Sequence, residues 1–469
     1  MDDRSQRVTR EDLLLFVNAC FACTGQKEYY GDGHGQRVSI GFLHEYILGN
    51  YRTLYARSLA CGINHQNQAL VVRNLLATGR LVREENRVEE NALVTRALHA
   101  LPTHRAMHLL ESLAATGVNN RRTRALTKAY LAQPGPMAFR AVKYRRAFRR
   151  AAVHTHIGLP GELGSFFTRG WKERRFSTPL FESFRQAHYA QKAIYELPYS
   201  IAEGLAAKRG IARDVFLKGI DAKLTQNERL RLHSRLEEAY GSPVALEGAH
   251  RSPTQVASFV LSLPVDARRA REAELRSALR GSAERSARRT GARFGKVACV
   301  VDRSASSFGS SEKKRRPLAV ALALVAYLRA SSDAVTVHYS SPIDDELWLT
   351  PRGSTDLSTP ILGALRDEPD LLVVVSDGFE NDPPGVAGGL LEAAQRLFPR
   401  AFFLHVNPVY DVESYAPKSL SPRVPTMGIR DACDLPTLVA FAKLALGKST
   451  LEELEAHLDQ RVRAFLAGG

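Results

Sequence analysis

From about residue 9 to residue 287, apolar side chains recur at every third or fourth position, with short interruptions at Gly, Pro or Asn. That spacing gathers them on one face of a helix, so the stretch predicts helix after helix. The segments GFLHEYILGNYRTLYARSLACG, ENALVTRALHAL, THRAMHLLESLAATG, RTRALTKAYLAQPG and ERLRLHSRLEEAYG all carry it. Between residues 66 and 133 the segments come in pairs of about 12 to 16 residues each, the lengths of antiparallel helical hairpins.

Hairpins that bury their apolar faces only against their neighbours make a HEAT-like helical repeat; a plain helical bundle fits the same pattern. After the charged helical stretch DARRAREAELRSALRGSAERSARRTGARFG the period changes. Short runs rich in β-branched residues, KVACVV, AVTVHYS, DLLVVVS and RAFFLHVN, alternate with the helical segments KRRPLAVALALVAYLRA, TPILGALRD and AGGLLEAAQRLF. Two last helices end near Leu466. Alternating strand and helix predict a parallel sheet covered on both faces, the doubly wound α/β (Rossmann-like) class. The expected division is therefore an all-α domain over 1–290 and an α/β domain over 291–469.

The chain has 469 residues, which suits two or three domains, and no run of about 20 uncharged apolar residues for a membrane span. Its first residues, MDDRSQRVTREDLLLF, put acids where a secretory signal would put basic residues. Five cysteines (20, 23, 61, 299 and 433) make no disulfide framework, and the lone CxxC at Cys20 and Cys23 has no second pair at zinc spacing. Buried thiols and a cytoplasmic location are the expectation. The Gly-rich GDGHGQ (31–36) follows no strand and lacks a Lys-Ser/Thr pair, so it does not read as a phosphate loop. His154 and His156 have no third ligand at metal spacing. No nucleophile, base and orienting group stand out together, which points away from an enzyme.

Candidate chemistry gathers after the strands. In doubly wound folds ligands bind beyond the carboxyl ends of the strands. Asp302, Ser304 and Ser306 follow KVACVV at alternate positions, Thr355 follows a Gly-containing turn in PRGSTDLSTPI, and Asp377 follows the very apolar DLLVVV. Alternate residues of an extended loop face one way, and oxygen donors with few carboxylates suit a hard divalent cation. The order DxSxS, then Thr in a GST turn, then SDG resembles the von Willebrand factor A (vWA) domain and its metal-ion-dependent adhesion site (MIDAS), over roughly residues 293 to 446. The resemblance implies Ser304, Ser306 and Thr355 as direct or near-direct ligands of Mg²⁺ (or Mn²⁺ or Ca²⁺). Asp302 and Asp377 would hold the ion partly through water, and a carboxylate from an acidic protein partner would complete the shell. Ala305 stands where the usual DxSGS has glycine, which leaves the ligands intact.

The net charge of +16 is unevenly spread. Between residues 118 and 175 fourteen Lys/Arg face two acids, Glu162 and Glu173, an excess of +12 in one-eighth of the chain. Arg121, Arg124 and Lys128 fall on one helical stripe beside Arg122; Arg140, Lys143, Arg145, Arg146, Arg149 and Arg150 follow with Tyr144 and Phe148 interleaved, then Lys172, Arg174 and Arg175. Guanidiniums for phosphates beside aromatic rings suit a nucleic acid, RNA ahead of DNA; a surface for an acidic protein is the other reading. The stretch AFRAVKYRRAFRRAAVHTHIGLPGELGSFF resembles the TROVE module of the Ro autoantigen family, a HEAT-repeat ring that holds RNA and is joined to a vWA domain. That resemblance implies a non-enzymatic RNA-binding scaffold. The alternative is a vWA adaptor for a MoxR-type AAA ATPase in a bacterial stress or defence module.

Overall fold

A computed structural model describes residues 3–23, 33–159, 161–240, 246, 251–311, 313–409 and 416–468. Positions 31 and 32 of the Gly-rich GDGHGQ lie outside the described residues, and Gly33 opens a helix. The chain forms two compact units, Met1–Asn67 with His250–Gly469, and Gln68–Ala249. The switch from helices to strands falls where the period changes, with β1 opening at Phe294. The compact units divide elsewhere, because the helices just before residue 290 pack on the helix Arg316–Ser331, which itself lies on the sheet. No helix among the described residues is long and apolar enough to cross a membrane.

In the first unit the described residues form one sheet of five strands: β1 (Phe294–Val301), β2 (Ser332–Tyr339), β3 (Leu371–Val375), β4 (Phe402–Asn407) and β5 (Thr426–Gly428). All neighbours are parallel, in the order β2-β1-β3-β4-β5. The three residues of β5 are too few to show a period in the sequence. The chain turns outward in opposite directions from β1 and β3, so the loops after these two neighbours open a crevice at the switch point. Val301 sits opposite Val375, which puts both exits level.

Alternate residues serve the two faces of the sheet. Ala298, Val300, Leu372, Val374 and Phe403 pack with Ile361, Ala364, Leu391 and Ala394 of the helices Ser358–Arg366 and Val386–Leu397. The helix Arg316–Ser331 also lies against β1 and β2, and every residue from Leu318 to Val325 is buried. A helix that is apolar all round needs cover all round. The sheet covers one side, and the helices Pro253–Ser262 and Glu272–Thr290 cover the rest. Arg268, buried between these two helices, donates to the carbonyls of Leu263, Leu347 and Leu349 at 2.8–2.9 Å.

The helix Asp3–Ala22 packs along β5. An edge strand exposes unpaired backbone groups, and here one carboxamide supplies the missing partners. Asn18 Nδ2 donates to Thr426 O at 2.8 Å, and Gly428 N–H donates to Asn18 Oδ1 at 2.9 Å. A side chain at Gly428 would meet Asn18 O at 2.6 Å, so only glycine allows this approach. Cys20 and Cys23 are buried, as the sequence predicts; Cys61 and Cys299 are buried too, which pushes their thiols up to about 12, and Cys433 is half-buried.

The second unit is helical throughout its described residues, with Arg87–Ala100, Thr103–Ala115, Arg121–Leu131, Pro134–Lys143 and Arg145–His154 the helices that matter below. Pro134 at a first helical turn and Asn120 as a side-chain cap mark two of the starts. Phe148, Phe166, Phe167, Phe176 and Phe181 form an aromatic core, with Phe166 and Phe181 stacked at 4.2 Å.

Candidate metal centre and basic surface

Beyond Val301 the pairing of β1 with β3 continues by one bond: Asp302 N–H donates to Val375 O at 2.9 Å. This brings Asp302 to the end of β3, where Asp377 stands two residues on. Ser304 N–H donates to Asp302 Oδ1 at 2.8 Å, and the hydroxyls of Ser304 and Ser306 share a hydrogen bond of 3.0 Å. A tight turn over Ala305–Phe308, closed by Ser307 Oγ on Ser304 O at 2.7 Å, folds Ser306 back toward Asp377. Asp377 accepts Phe379 N–H at 3.0 Å and a hydrogen bond from the Ser306 hydroxyl.

Asp302 and Asp377 are 5% and 4% exposed. Burial raises both carboxyls, and the charge of Asp377 adds to it, pushing Asp302 up to about 7. The Ser306 hydroxyl, Phe379 N–H and the Lys418 ammonium hold Asp377 back in part. Two buried carboxylates of like charge repel one another, and a cation between them relieves both the repulsion and the desolvation.

Thr355 is buried, and its N–H donates to Asn381 Oδ1 at 2.8 Å. Its loop meets the Asp302 loop through two backbone bonds, Arg352 N–H to Arg303 O at 2.7 Å and Ala305 N–H to Gly353 O at 3.1 Å. Three consecutive residues after Gly378 grip the Thr355 segment. Glu380 accepts from Ser358 Oγ at 3.1 Å, Asn381 from Thr355 N–H, and Asp382 from Ser354 Oγ at 2.8 Å. Sequence reasoning missed this clamp; its signal is the polar run Glu380-Asn381-Asp382 directly behind the SDG turn. Gly378 has φ +81°, and a Cβ there would stand 2.4 Å from Lys418 O, so the turn that aims Asp377 requires glycine.

The structure thus brings Asp302, Ser304, Ser306 and Asp377 to one spot and sets the Thr355 loop against them. A cavity of about 10 Å³ adjoins them; Asp302 and Asp377 share its wall with the apolar Pro317, Val375 and Pro408, whereas Ser304, Ser306 and Thr355 do not line it. Among the described residues no group of three or more His, Cys, Asp and Glu is placed to hold a metal. A cation held by Asp302, Ser304, Ser306 and Asp377 would meet two carboxylates and neutral hydroxyls, a donor set that fits a small hard ion.

The basic residues separate into two kinds. Arg140 is buried, donates to Tyr130 O at 2.5 Å and lies 3.7 Å over the Tyr130 ring. Arg122 forms a 2.7 Å ion pair with the buried Glu90 and donates to Glu90 O. Both guanidiniums join helices inside the unit, and neither offers itself to a ligand. Lys143 is exposed but donates to Ser200 O. By contrast Arg121, Arg124, Lys128, Arg146, Arg149, Arg150, Lys172, Arg174 and Arg175 all stand in solvent. Arg145, Arg146, Arg149 and Arg150 line one groove of about 1070 Å³ with Ala114, Val153, His154 and Phe167. Glu111 lies 3.8–3.9 Å from Arg150 and Arg146 at its rim. Arg145 is half-buried and anchored on the carbonyls of Phe166 and Phe167 at 2.9 and 3.2 Å. His154 is half-buried with Nε2 3.1 Å from Val118 O, whereas His156 is exposed.

No family model matches the sequence, and no curated protein matches it. Among solved structures, the crystal structure of the Deinococcus radiodurans RO (RSR) protein is similar at 15% identity and a TM-score of 0.41, over 81% of this chain and 91% of that one.

Proposed function

We propose that this chain is a non-enzymatic scaffold with two binding regions. The Gln68–Ala249 unit binds RNA, and the carboxyl edge of the sheet recruits an acidic side chain of a protein partner through a divalent cation, Mg²⁺ or else Mn²⁺ or Ca²⁺. The observation that carries the RNA reading is the groove with four arginines in its wall and one carboxylate at its rim. Such an excess of guanidinium suits a polyanion, since each phosphate neutralised releases bound counterions. The KYR-containing stretch, with its likeness to the TROVE module, favours RNA over DNA.

At the sheet edge, the role of the chain is to keep two carboxylates buried with the Ser304 and Ser306 hydroxyls close by. When bound, the cation supplies an electrophilic position for an external carboxylate. Asp302, Ser304, Ser306 and Asp377 would hold it, and the Glu380-Asn381-Asp382 clamp sets the position of the Thr355 loop.

The absorbance ratio at 260 and 280 nm of the purified protein is the first test, followed by anisotropy of labelled RNA across a salt series. The triple variant R146E/R149E/R150E should lose at least tenfold in affinity and show a shallower salt slope. Unchanged affinity and slope would refute the RNA reading. A nucleic-acid-free protein that captures an ATPase, and loses it in Asp302→Ala, would replace it with the adaptor reading.

A further inference from the structure

Next to the arginine groove, the Gln68–Ala249 unit leaves large aromatic surface in water. Trp171 is 36% exposed and Tyr189 61%. Aromatic carbon held rigidly in solvent forgoes the burial that drives folding, and such surface commonly marks a binding site. These rings are held in place. Trp171 stacks on His188 with centroids 5.1 Å apart and planes 13° apart, and Tyr189 stands edge-on to Trp171 at 5.9 Å and 71°. Phe184 supports His188 from 4.8 Å. Burial, helped by Lys208, Arg209 and Arg145, lowers the His188 pKa.

Cations surround the rings. Lys172 Nζ lies 5.7 Å from the Trp171 centroid, and Arg209 donates to the carbonyls of Ala187 and His188. Arg185 lies 5.8 Å from the Tyr189 centroid but is already paired with Glu182 at 2.6 Å. Arg145 links this surface to the groove: it lines the groove wall, and its guanidinium would be 2.9 Å from a Cβ at Gly170, the residue before Trp171.

We propose that Trp171 and Tyr189 form a base-stacking platform, which takes unpaired bases from a strand whose phosphates lie along Arg146, Arg149 and Arg150. The proposal rests on the RNA reading above and specifies which form of RNA is bound and by which residues. An unpaired strand offers flat π faces and phosphates together, an acidic peptide offers charge without such faces, and a duplex stacks its faces away.

The test uses the full-length protein with a labelled 12-nucleotide oligouridylate and a 12-base-pair RNA duplex. Trp171→Ala and Tyr189→Ala should each weaken single-strand binding by roughly 5- to 150-fold, with an unchanged salt slope and duplex affinity within about twofold. Trp171→Phe, which keeps a ring, should retain most of the affinity and guards against a folding defect. In a Trp348→Phe background, oligouridylate should quench the fluorescence of Trp171. Alanine variants that bind single strands normally, or lose single strand and duplex equally, overturn the platform while leaving the RNA reading intact. A wild-type protein that binds neither probe overturns both, and binding of polyglutamate in their place assigns the surface to an acidic protein.

Discussion

At the ends of β1 and β3, Asp302 and Asp377 have like charge and are almost wholly withdrawn from water, with serine hydroxyls and backbone N–H groups arranged about them. Across the Gln68–Ala249 unit, Arg121, Arg124, Arg146, Arg149 and Arg150 also have like charge, but they stand in solvent where water and salt screen their repulsion. The first arrangement concentrates an unfavourable field in a low dielectric, which a small cation at one point would relieve. The second spreads a mild field over a surface and so suits an extended anion. Burial, rather than charge count, distinguishes a point site from a surface. Arg122 and Arg140 make the same distinction within the basic unit, since burial turns them into internal struts.

The sharpest way to break the comparison is to remove a strut. Arg122→Ala withdraws the cation beside the buried Glu90 carboxylate and should destabilise the Gln68–Ala249 unit by about 3 kcal/mol, read by denaturant melts. RNA affinity per folded molecule should hardly change. The proposed metal centre comes next. Mg²⁺ at a hundred times its Kd should stabilise the chain by about 2.7 kcal/mol in thermal melts, and Asp377→Ala should abolish the shift while the variant still folds.

In the presence of a chelator, pH gives the third test. The Asp302 carboxyl titrates near 7 in the native state, above its unfolded value of about 4. The native state therefore holds the extra proton in between, and stability should fall as pH rises from 4 to 7 and level off beyond. Asp302→Asn should flatten that slope; a slope of opposite sign would contradict the burial argument. The smallest effects belong to the exposed cations. Arg124→Ala or Lys128→Ala should change stability by less than about 0.5 kcal/mol. Each should flatten the salt dependence of RNA binding by about 0.7 for every phosphate left without its counter-charge.

β1, β3 and β4 were legible because their apolar runs are buried on both faces and bounded by polar turns, whereas the half-exposed β2 was legible from its β-branched residues alone. The same burial made the Arg316–Ser331 helix readable as a helix, yet its all-round apolarity also implied that partners beyond the sheet were needed. Those partners, Pro253–Ser262 and Glu272–Thr290, read as part of the helical half because local period carries no record of which distant surface a helix covers. The oxygen-bearing candidates after β1 and β3 could be read because a strand end fixes where its next residues stand. The polar run Glu380-Asn381-Asp382 is visible in the sequence but its role as a clamp is not, since its contacts with Ser354, Thr355 and Ser358 depend on loop geometry. Arg122 and Arg140 were counted with the exposed cations because sequence shows charge without showing burial.

The Asn18 carboxamide bonds to Thr426 and Gly428 across more than 400 residues of chain, 408 for the Thr426 bond. On the ribosome, at about 5–20 residues per second, the first helix emerges roughly 20 to 80 s before the strand it must dock against. For that interval Phe16 can already pack on His44 and Tyr55, while the face of the helix that meets β5 waits without its partner. Newly made chains should therefore hold that one face open until translation is nearly complete.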